Sequence, residues 1–439
     1  MFNRIKGTKD INPTEMMTYE FIRGIFLKIT NAYNFSYIET PIIENADLYK
    51  RSVASSDIVK KEMYEFKDRG DRSISLRPEG TAGFIRALIE NKWYTYQNNK
   101  FSYYGQMFRY EQPQKGRQRQ FYQAGVEAIG QKNIYQDYEL ISMANLFLKT
   151  IGINTKLKIN SIGDKQTRIN YQKELKKYFL PYKNELSEIN QERLETNVLR
   201  ILDDKIDSQK EFVKKAPKIF DYLSEESKKY FTDLLSLLKI NYIDYEIDYS
   251  LVRGLDYYDE IVYEFVSLEK NTGAQSTVIG GGRYSNLIKE LGGPETSASG
   301  WAIGVDRIAE IIFDNNLLNE QYQNNKIKIL FGCLNQENLN TFISLCNELR
   351  SYGIKSEIIK TLTKSKKIFE KAEKTNADFI IFDDKVEQKN TFLVKHLKTN
   401  DKIYFSHNES GFDNLLHFLS DNDDEIYEIL DELAETEEE

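Results

Sequence analysis

Cysteine and histidine are scarce in this chain of 439 residues, which holds two cysteines, Cys333 and Cys346, and three histidines, His396, His407 and His417. All of them lie in its last quarter. Two cysteines make neither a disulfide framework nor a zinc spacing, and a reducing cytoplasm is the compartment that fits. Upstream of Cys333 the absence is complete, which excludes cysteine nucleophiles, imidazole bases and His-ligated metals from that region. Its chemistry has to run on carboxylates, guanidiniums, backbone donors and Mg²⁺. Long apolar runs are missing too. None approaches a membrane span, and the opening MFNRIKGTKD lacks the apolar core of a signal peptide, so no membrane partner is expected.

Basic residues are absent from one stretch, residues 421–439, which holds eleven Asp and Glu and no Lys or Arg. Taking those eleven acids out of a formal net charge of −8 leaves +3 for the remainder. Bulk charge therefore says little about a nucleic-acid partner, and local basic loops are the relevant quantity. The stretch reads as a solvated, partly disordered acidic tail. What is present is enough for compact folding, with 40% hydrophobic and 13% aromatic residues. The length predicts two or three domains.

Two limbs rich in aromatic and β-branched residues, Phe101 to Glu111 and Phe121 to Ile129, flank a polar segment with Pro113 and Gly116. That pattern predicts an antiparallel hairpin with a long loop. Strand alternation puts Arg109 and Glu111 on one side of the first limb, and Gln123, Gly125 and Glu127 on one side of the second. Tyr122, Ala124, Val126 and Ala128 then form a face that can pack. Lys115, Arg117 and Arg119 in the loop suit phosphate, although a merely solvated charged loop fits the same residues.

Elsewhere the signals are local. Asn12, Pro13 and Glu15 predict a helix start, and Phe35 to Pro41 a strand. In LRPEGT, Glu79 and Thr81 read first as helix caps, and otherwise as a paired anion and hydroxyl. Residues 165–230 are charged and helix-forming, a helical insertion between strand-rich regions. Ile240 to Ile247 predicts a strand leading to LVRGLDYY, where Tyr257 and Tyr258 could be ordinary core residues. VIGGGRY is a weak phosphate signal placed after a strand. GWAIGVDRIAEII runs from strand to helix with Arg307 in the first turn, where the helix dipole favours polyphosphate. Residues 314–325 read as a linker. Beyond it, strands and helices alternate as in a small, largely parallel α/β domain. Lys360, Lys364, Lys366 and Lys367 cluster there, either as a solvated patch or as a nucleic-acid contact.

FRYE, a basic loop and QFYQAGVE together resemble motif 2 of the class II aminoacyl-tRNA synthetases, and QFYQAGVEAIG and LVRGLDYY are similar to the histidyl-tRNA synthetases among them. The first helix and FSYIETP resemble motif 1, used by the family at its dimer interface, and GWAIGVDRIAEII resembles motif 3. The resemblance implies an α+β class II catalytic domain over 1–320, an antiparallel sheet of six or seven strands flanked by helices and interrupted by the insertion. An α/β anticodon-binding domain over 326–420 and the tail over 421–439 would follow. It implies a homodimer in the cytoplasm that joins L-histidine to tRNA(His), with ATP as substrate and Mg²⁺ expected on its phosphates. The amino-acid carboxylate attacks ATP already ionised, so no protein base is needed.

Carried over by motif, Arg109 would grip the α-phosphate, Glu111 the adenine side, and Arg117 and Arg307 the β and γ phosphates. Arg253 would neutralise charge building on the α-phosphate. Glu79, Gly80, Thr81 and Gln123 would surround the amino group. Glu127 and Tyr258, with Tyr257 beside them, would take the imidazole. Gln112 stands where the family commonly has arginine, and Trp301 and Asp306 where Phe and Glu are usual. A regulatory relative found with ATP phosphoribosyltransferase, or a tRNA-binding module without ligase activity, are the alternatives. The first would lack the LVRGLDYY arginine and the C-terminal domain.

Overall fold

Asn12 opens the first helix through a reciprocal cap. Its side chain accepts from the Glu15 amide at 2.9 Å, while the Glu15 carboxylate accepts from the Asn12 amide at 3.3 Å. Helix α1, Pro13–Ala32, then buries Phe21, Ile22, Phe26 and Ile29. The computed structural model describes residues 2–52, 61–114, 116–202, 204, 206–251, 257–270, 276–317, 328–383 and 390–437. Arg253 and Lys115 lie outside these described residues, as do residues 318–325 of the expected linker. Two compact units divide the chain, Met1–Gln323 and Asn324–Glu439.

In the first unit β1 (Ser36–Tyr37), β2 (Ile43–Asn45), α2 (Ala46–Ser52), β3 (Glu65–Lys67), β4 (Ser73–Leu76) and α3 (Thr81–Glu90) come first. The hairpin β5 (Lys100–Phe108) and β6 (Gln120–Gly130), helix α4 (Ile134–Thr150) and strand β7 (Thr155–Gly163) follow. The insertion contributes α5 (Lys165–Phe179), α6 (Glu188–Thr196), α7 (Glu211–Lys214) and α8 (Glu225–Ile240). Strands β8 (Tyr245–Ile247), β9 (Asp259–Ser267) and β10 (Thr277–Arg283), helix α9 (Leu287–Glu290), strand β11 (Ser297–Gly304) and helix α10 (Val305–Asp314) complete it.

The main sheet has eight strands in the order β1-β5-β6-β11-β10-β9-β7-β8. Its six central strands pair antiparallel, but short β1 and β8 add parallel edges to β5 and β7. The sheet is therefore mixed and one strand larger than the expected six or seven. Parallel pairing at β8 needs a crossover, which α8 supplies. The run Ile240 to Ile247, expected as one strand, divides for the same reason. Ile240 ends α8, whose stripe Phe231, Leu234, Leu235 and Leu238 is buried, Tyr242 turns at φ 56°, and only Tyr245–Ile247 joins the sheet.

Helices α1, α4, α8 and α10 cover one face, packing against Ala124, Val126, Ala128 and Ile303. Trp301 belongs to this core, its indole N–H donating to the Leu140 carbonyl at 3.0 Å. Where α4, α8 and β10 meet, the fully buried Arg283 donates Nη2 to Asp137 Oδ1 at 2.7 Å and Nε to Asp137 Oδ2 at 3.1 Å. Ser297 and Tyr230 complete the network at 2.7 Å each. Removing one partner of such a pair strands a buried charge. Asp137→Ala is expected to cost about 3–5 kcal/mol, read by denaturant unfolding, with Asp137→Leu/Arg283→Met losing much less.

The second unit holds β12 (Ile329–Gly332), α11 (Leu339–Ser351), β13 (Ser356–Ile358), α12 (Ser365–Thr375), β14 (Phe379–Phe382), β15 (Thr391–His396), β16 (Lys402–Ser406), α13 (Glu409–Asp421) and α14 (Asp424–Glu437). The sheet order is β13-β12-β14-β15-β16. The first three strands are parallel, as expected, but β15 and β16 form an antiparallel hairpin. The acidic tail also differs from expectation. Residues 424–437 are helical because Ile426, Ile429 and Leu430 fall on one face and join the core. Lys328 ties down its start, at 2.8 Å from both Asp423 and Glu425.

Candidate active site

The uncovered face of the main sheet floors a cleft of about 480 Å³. Strand alternation on β6 puts Gln123 and Glu127 into it while Ala124, Val126 and Ala128 face the core, as the two-residue period requires. Glu79, Thr81, Arg109, Glu111, Arg117, Tyr257, Tyr258 and Arg307 line the same space. Elements from residue 79 to residue 307 thus converge on one cavity.

Its amino-acid-sized end is acidic. Glu79 is buried, and its carboxylate accepts from the Thr81 and Ala82 amides at 2.7 Å each. It therefore caps α3 and also presents charge to the cleft, so the two readings of LRPEGT describe one carboxylate. Burial raises its pKa, opposed by those two amides and by Arg109. The Gly80 amide donates to Gln123 Oε1 at 3.0 Å. Glu127 is deeper, 1% exposed, and accepts from Thr81 Oγ1 at 2.7 Å and from the Tyr284 hydroxyl. Burial pushes its carboxyl up to about 8, against the pull of those two donors.

Glycines make this packing possible. A Cβ on Gly300 would overlap the Glu127 carboxylate and the Val126 carbonyl. Gly300→Ala is expected to displace Glu127 and cost about 1–3 kcal/mol, measured by chemical denaturation. The VIGGGRY glycines are not a phosphate loop. They lie inside β10, where Gly281 lets the backbone approach Trp301 and Gly282 leaves room for the Tyr258 ring.

The other end is basic. Arg109, just past β5, donates Nε to the Pro78 carbonyl at 2.8 Å and lies over the Phe121 ring, 5.1 Å from its centroid. Glu111 is 2.8 Å from Arg117 Nη1 and 3.8 Å from Arg109. Arg307, in the first turn of α10, donates to the Thr277 carbonyl. Burial lowers its pKa, and the neighbouring Arg117 charge adds to that. Beside it Asp306 accepts from the Tyr122 amide at 2.6 Å and the Tyr19 hydroxyl at 2.9 Å, tying α10 to β6 and α1. Gln112 is exposed on the loop.

Tyr284, at the end of VIGGGRY, Glu264 and Arg200 also line the cleft, with no local sequence signal that marks them. Tyr103 is buried beneath Gly80 and Gly125. Glu264 accepts from Thr277 Oγ1 at 2.7 Å. Arg200 reaches the cleft from the insertion. Among the described residues no three of His, Cys, Asp and Glu gather as a metal site.

A largely antiparallel sheet flooring a cleft with buried carboxylates at one end and guanidiniums at the other is the architecture of a class II aminoacyl-tRNA synthetase. The family model described as histidyl-tRNA synthetase matches residues 7–308. The histidine–tRNA ligase of Mycoplasmopsis pulmonis is 42% identical over 96% of this chain and 100% of its own length. That of Mycoplasma mobile is 43% identical over 90% and 88%. The crystal structure of apo histidyl-tRNA synthetase from S. aureus superposes with a TM-score of 0.79 at 32% identity, covering 95% of this chain and 100% of that one. The chain belongs to the histidyl-tRNA synthetase family.

Proposed function

We propose that the chain joins L-histidine to tRNA(His) in two steps, with histidyl-adenylate and pyrophosphate formed from histidine and ATP before transfer to the tRNA 3′ end. The observation that carries this reading is the buried Glu127 carboxylate, held by Thr81 and Tyr284 in the same cleft as Arg109 and Arg307. A neutral imidazole offers one donor and one acceptor nitrogen. Glu127 would accept from the first and the Tyr258 hydroxyl would donate to the second, with Tyr257 packed alongside. A site with both partners buried rejects side chains that leave them unpaired.

Glu79, the Gly80 backbone, Thr81 and Gln123 would fix the α-ammonium group. Arg109 would hold the α-phosphate, Glu111 the adenine side, and Arg117 and Arg307 the outer phosphates. Arg253, in the family signature, would meet charge developing at the α-phosphate. Mg²⁺ would enter with ATP, mostly on phosphate oxygens and water, and Glu264 is the cleft carboxylate suited to complete its shell. It would neutralise the polyphosphate. Lys360, Lys364, Lys366 and Lys367 are exposed and would contact the anticodon arm. Among the described residues no helix is long and apolar enough to cross a membrane. A cytoplasmic homodimer paired through α1 and β1 completes the proposal, with sedimentation as its check.

Pyrophosphate exchange assayed with each amino acid in turn tests the function. Exchange that depends on histidine is expected. Absence of exchange with every amino acid would leave only a regulatory or tRNA-binding role.

A further inference from the structure

Tyr257 and Tyr258 are consecutive, yet both line the cleft. They stand just ahead of β9, outside the alternation that sends neighbouring strand side chains to opposite faces. The segment that follows explains how it is done. At the start of β9 the pairing with β7 shifts between Ser161 and Gly163, and the pairing with β10 shifts between Gly282 and Arg283. Glu260 adopts a left-handed φ of 51°, which a side chain other than glycine occupies only when held there. This is a doubly bulged strand end, and bulges re-aim side chains.

Three consecutive residues at this bulge are anchored from outside their own strand. The Tyr258 carbonyl accepts from Arg168 Nη1, on the first turn of insertion helix α5. The Asp259 carboxylate accepts from the Ser285 amide and hydroxyl at 2.9 Å each. The Glu260 carboxylate accepts from Lys132 Nζ at 2.7 Å and from Ser227 Oγ, on insertion helix α8, at 3.2 Å. The helix that carries Arg168 is capped, since Asp164 accepts from the Thr167 amide at 2.7 Å. Of these anchors, only Arg168 grips the backbone of a tyrosine that lines the cleft. The Tyr258 ring lies against Gly282, so its position depends on the backbone that carries it.

We infer that Arg168 is a positioning residue for histidine recognition, acting through the Tyr258 carbonyl to aim the Tyr258 hydroxyl at the imidazole. It touches no reacting atom. The inference rests on the histidine site proposed above, and it gives the insertion a task in amino-acid selection.

The test is histidine-dependent pyrophosphate exchange on the full chain, with histidine and ATP varied separately. Arg168→Met is expected to raise KM for histidine about tenfold, with KM for ATP within about threefold. Arg168→Lys, which keeps a cationic donor, should recover most of that loss. In a double-mutant cycle Tyr258→Phe/Arg168→Met should bind histidine no worse than Tyr258→Phe alone, because both act on one contact. Additive losses, or equal rises in both KM values, would overturn the inference, as would an unchanged histidine KM. If Arg168→Met does not fold, Arg168→Gln is read in its place on the same criteria. Failure of the wild type to exchange with histidine would instead overturn the proposed function itself.

Discussion

Glu127→Gln is expected to abolish histidine-dependent exchange while making the free protein more stable at alkaline pH. The loss of function follows from the chemistry of the contact. An ionised carboxylate accepts from an imidazole N–H, whereas an amide already engaged with Thr81 and Tyr284 presents a mixture of donor and acceptor. Sites built around one buried polar partner lose about 10⁴ to 10⁵ when the pairing fails. The gain in stability follows from linkage. The carboxyl is raised from 4.5 to about 8, so between those values the folded state holds a proton that the unfolded chain has released. Stability therefore falls as pH rises through that window. The penalty is absent below the unfolded pKa and complete above about pH 8. At about 1.4 kcal/mol per pKa unit it amounts to a few kcal/mol. Glutamine removes the ionisation, so the variant's thermal midpoint should exceed that of the wild type at pH 8.5 and converge with it near pH 4.5. Added histidine should raise the wild-type midpoint and leave the variant's unchanged. A variant less stable than wild type at pH 8.5 would contradict the assignment of a strained, buried charge.

The same proton sets the pH dependence of catalysis. Histidine binding requires the ionised carboxylate, so kcat/KM for histidine should climb from pH 6, reach half its maximum near the free-enzyme value of about 8 and level off above it. Glutamine should flatten that limb in whatever activity remains.

How much of this was legible follows from what each pattern encodes. The two-residue alternation of β6 is a local property, and one buried face is enough to assign Gln123 and Glu127 to the other. Arg307 was readable because a helix start is marked by the switch from strand glycines to helical spacing. Tertiary pairing has no such period. Tyr284, which completes the Glu127 environment, lies 157 residues away from it. Arg200 reaches the cleft from an insertion whose own sequence reads only as solvated helix. The acidic tail misled for a different reason. Net charge hid three apolar residues at helical spacing, and Lys328 supplies a counter-charge from nearly a hundred residues upstream. Glu79 shows that capping and cleft-facing positions need not compete, since one carboxylate accepts two helix amides and still borders the cleft.

Arg109→Lys is expected to lower kcat for exchange by about 10² to 10³, with KM for histidine changed by only a few-fold, although the charge is kept. The guanidinium is oriented by two contacts that an ammonium cannot reproduce together. Its Nε donates to the Pro78 carbonyl at 2.8 Å, and its plane rests over Phe121. With Nε occupied, the terminal nitrogens face the cleft as a fixed fork, which suits two oxygens of one phosphate. Lysine on its flexible stem would satisfy Pro78 or the phosphate, and a donor reorganised during reaction stabilises developing charge poorly. Glu111, 3.8 Å from the guanidinium, would keep its stronger partner Arg117 at 2.8 Å, so the loop should hold its shape. Arg109 is partly exposed, so the thermal midpoint should move little. The discriminating measurement is exchange at saturating histidine with ATP varied. A loss confined to KM for ATP would mean that Arg109 binds the ground state and the transition state equally, and the electrostatic role assigned to it would fall.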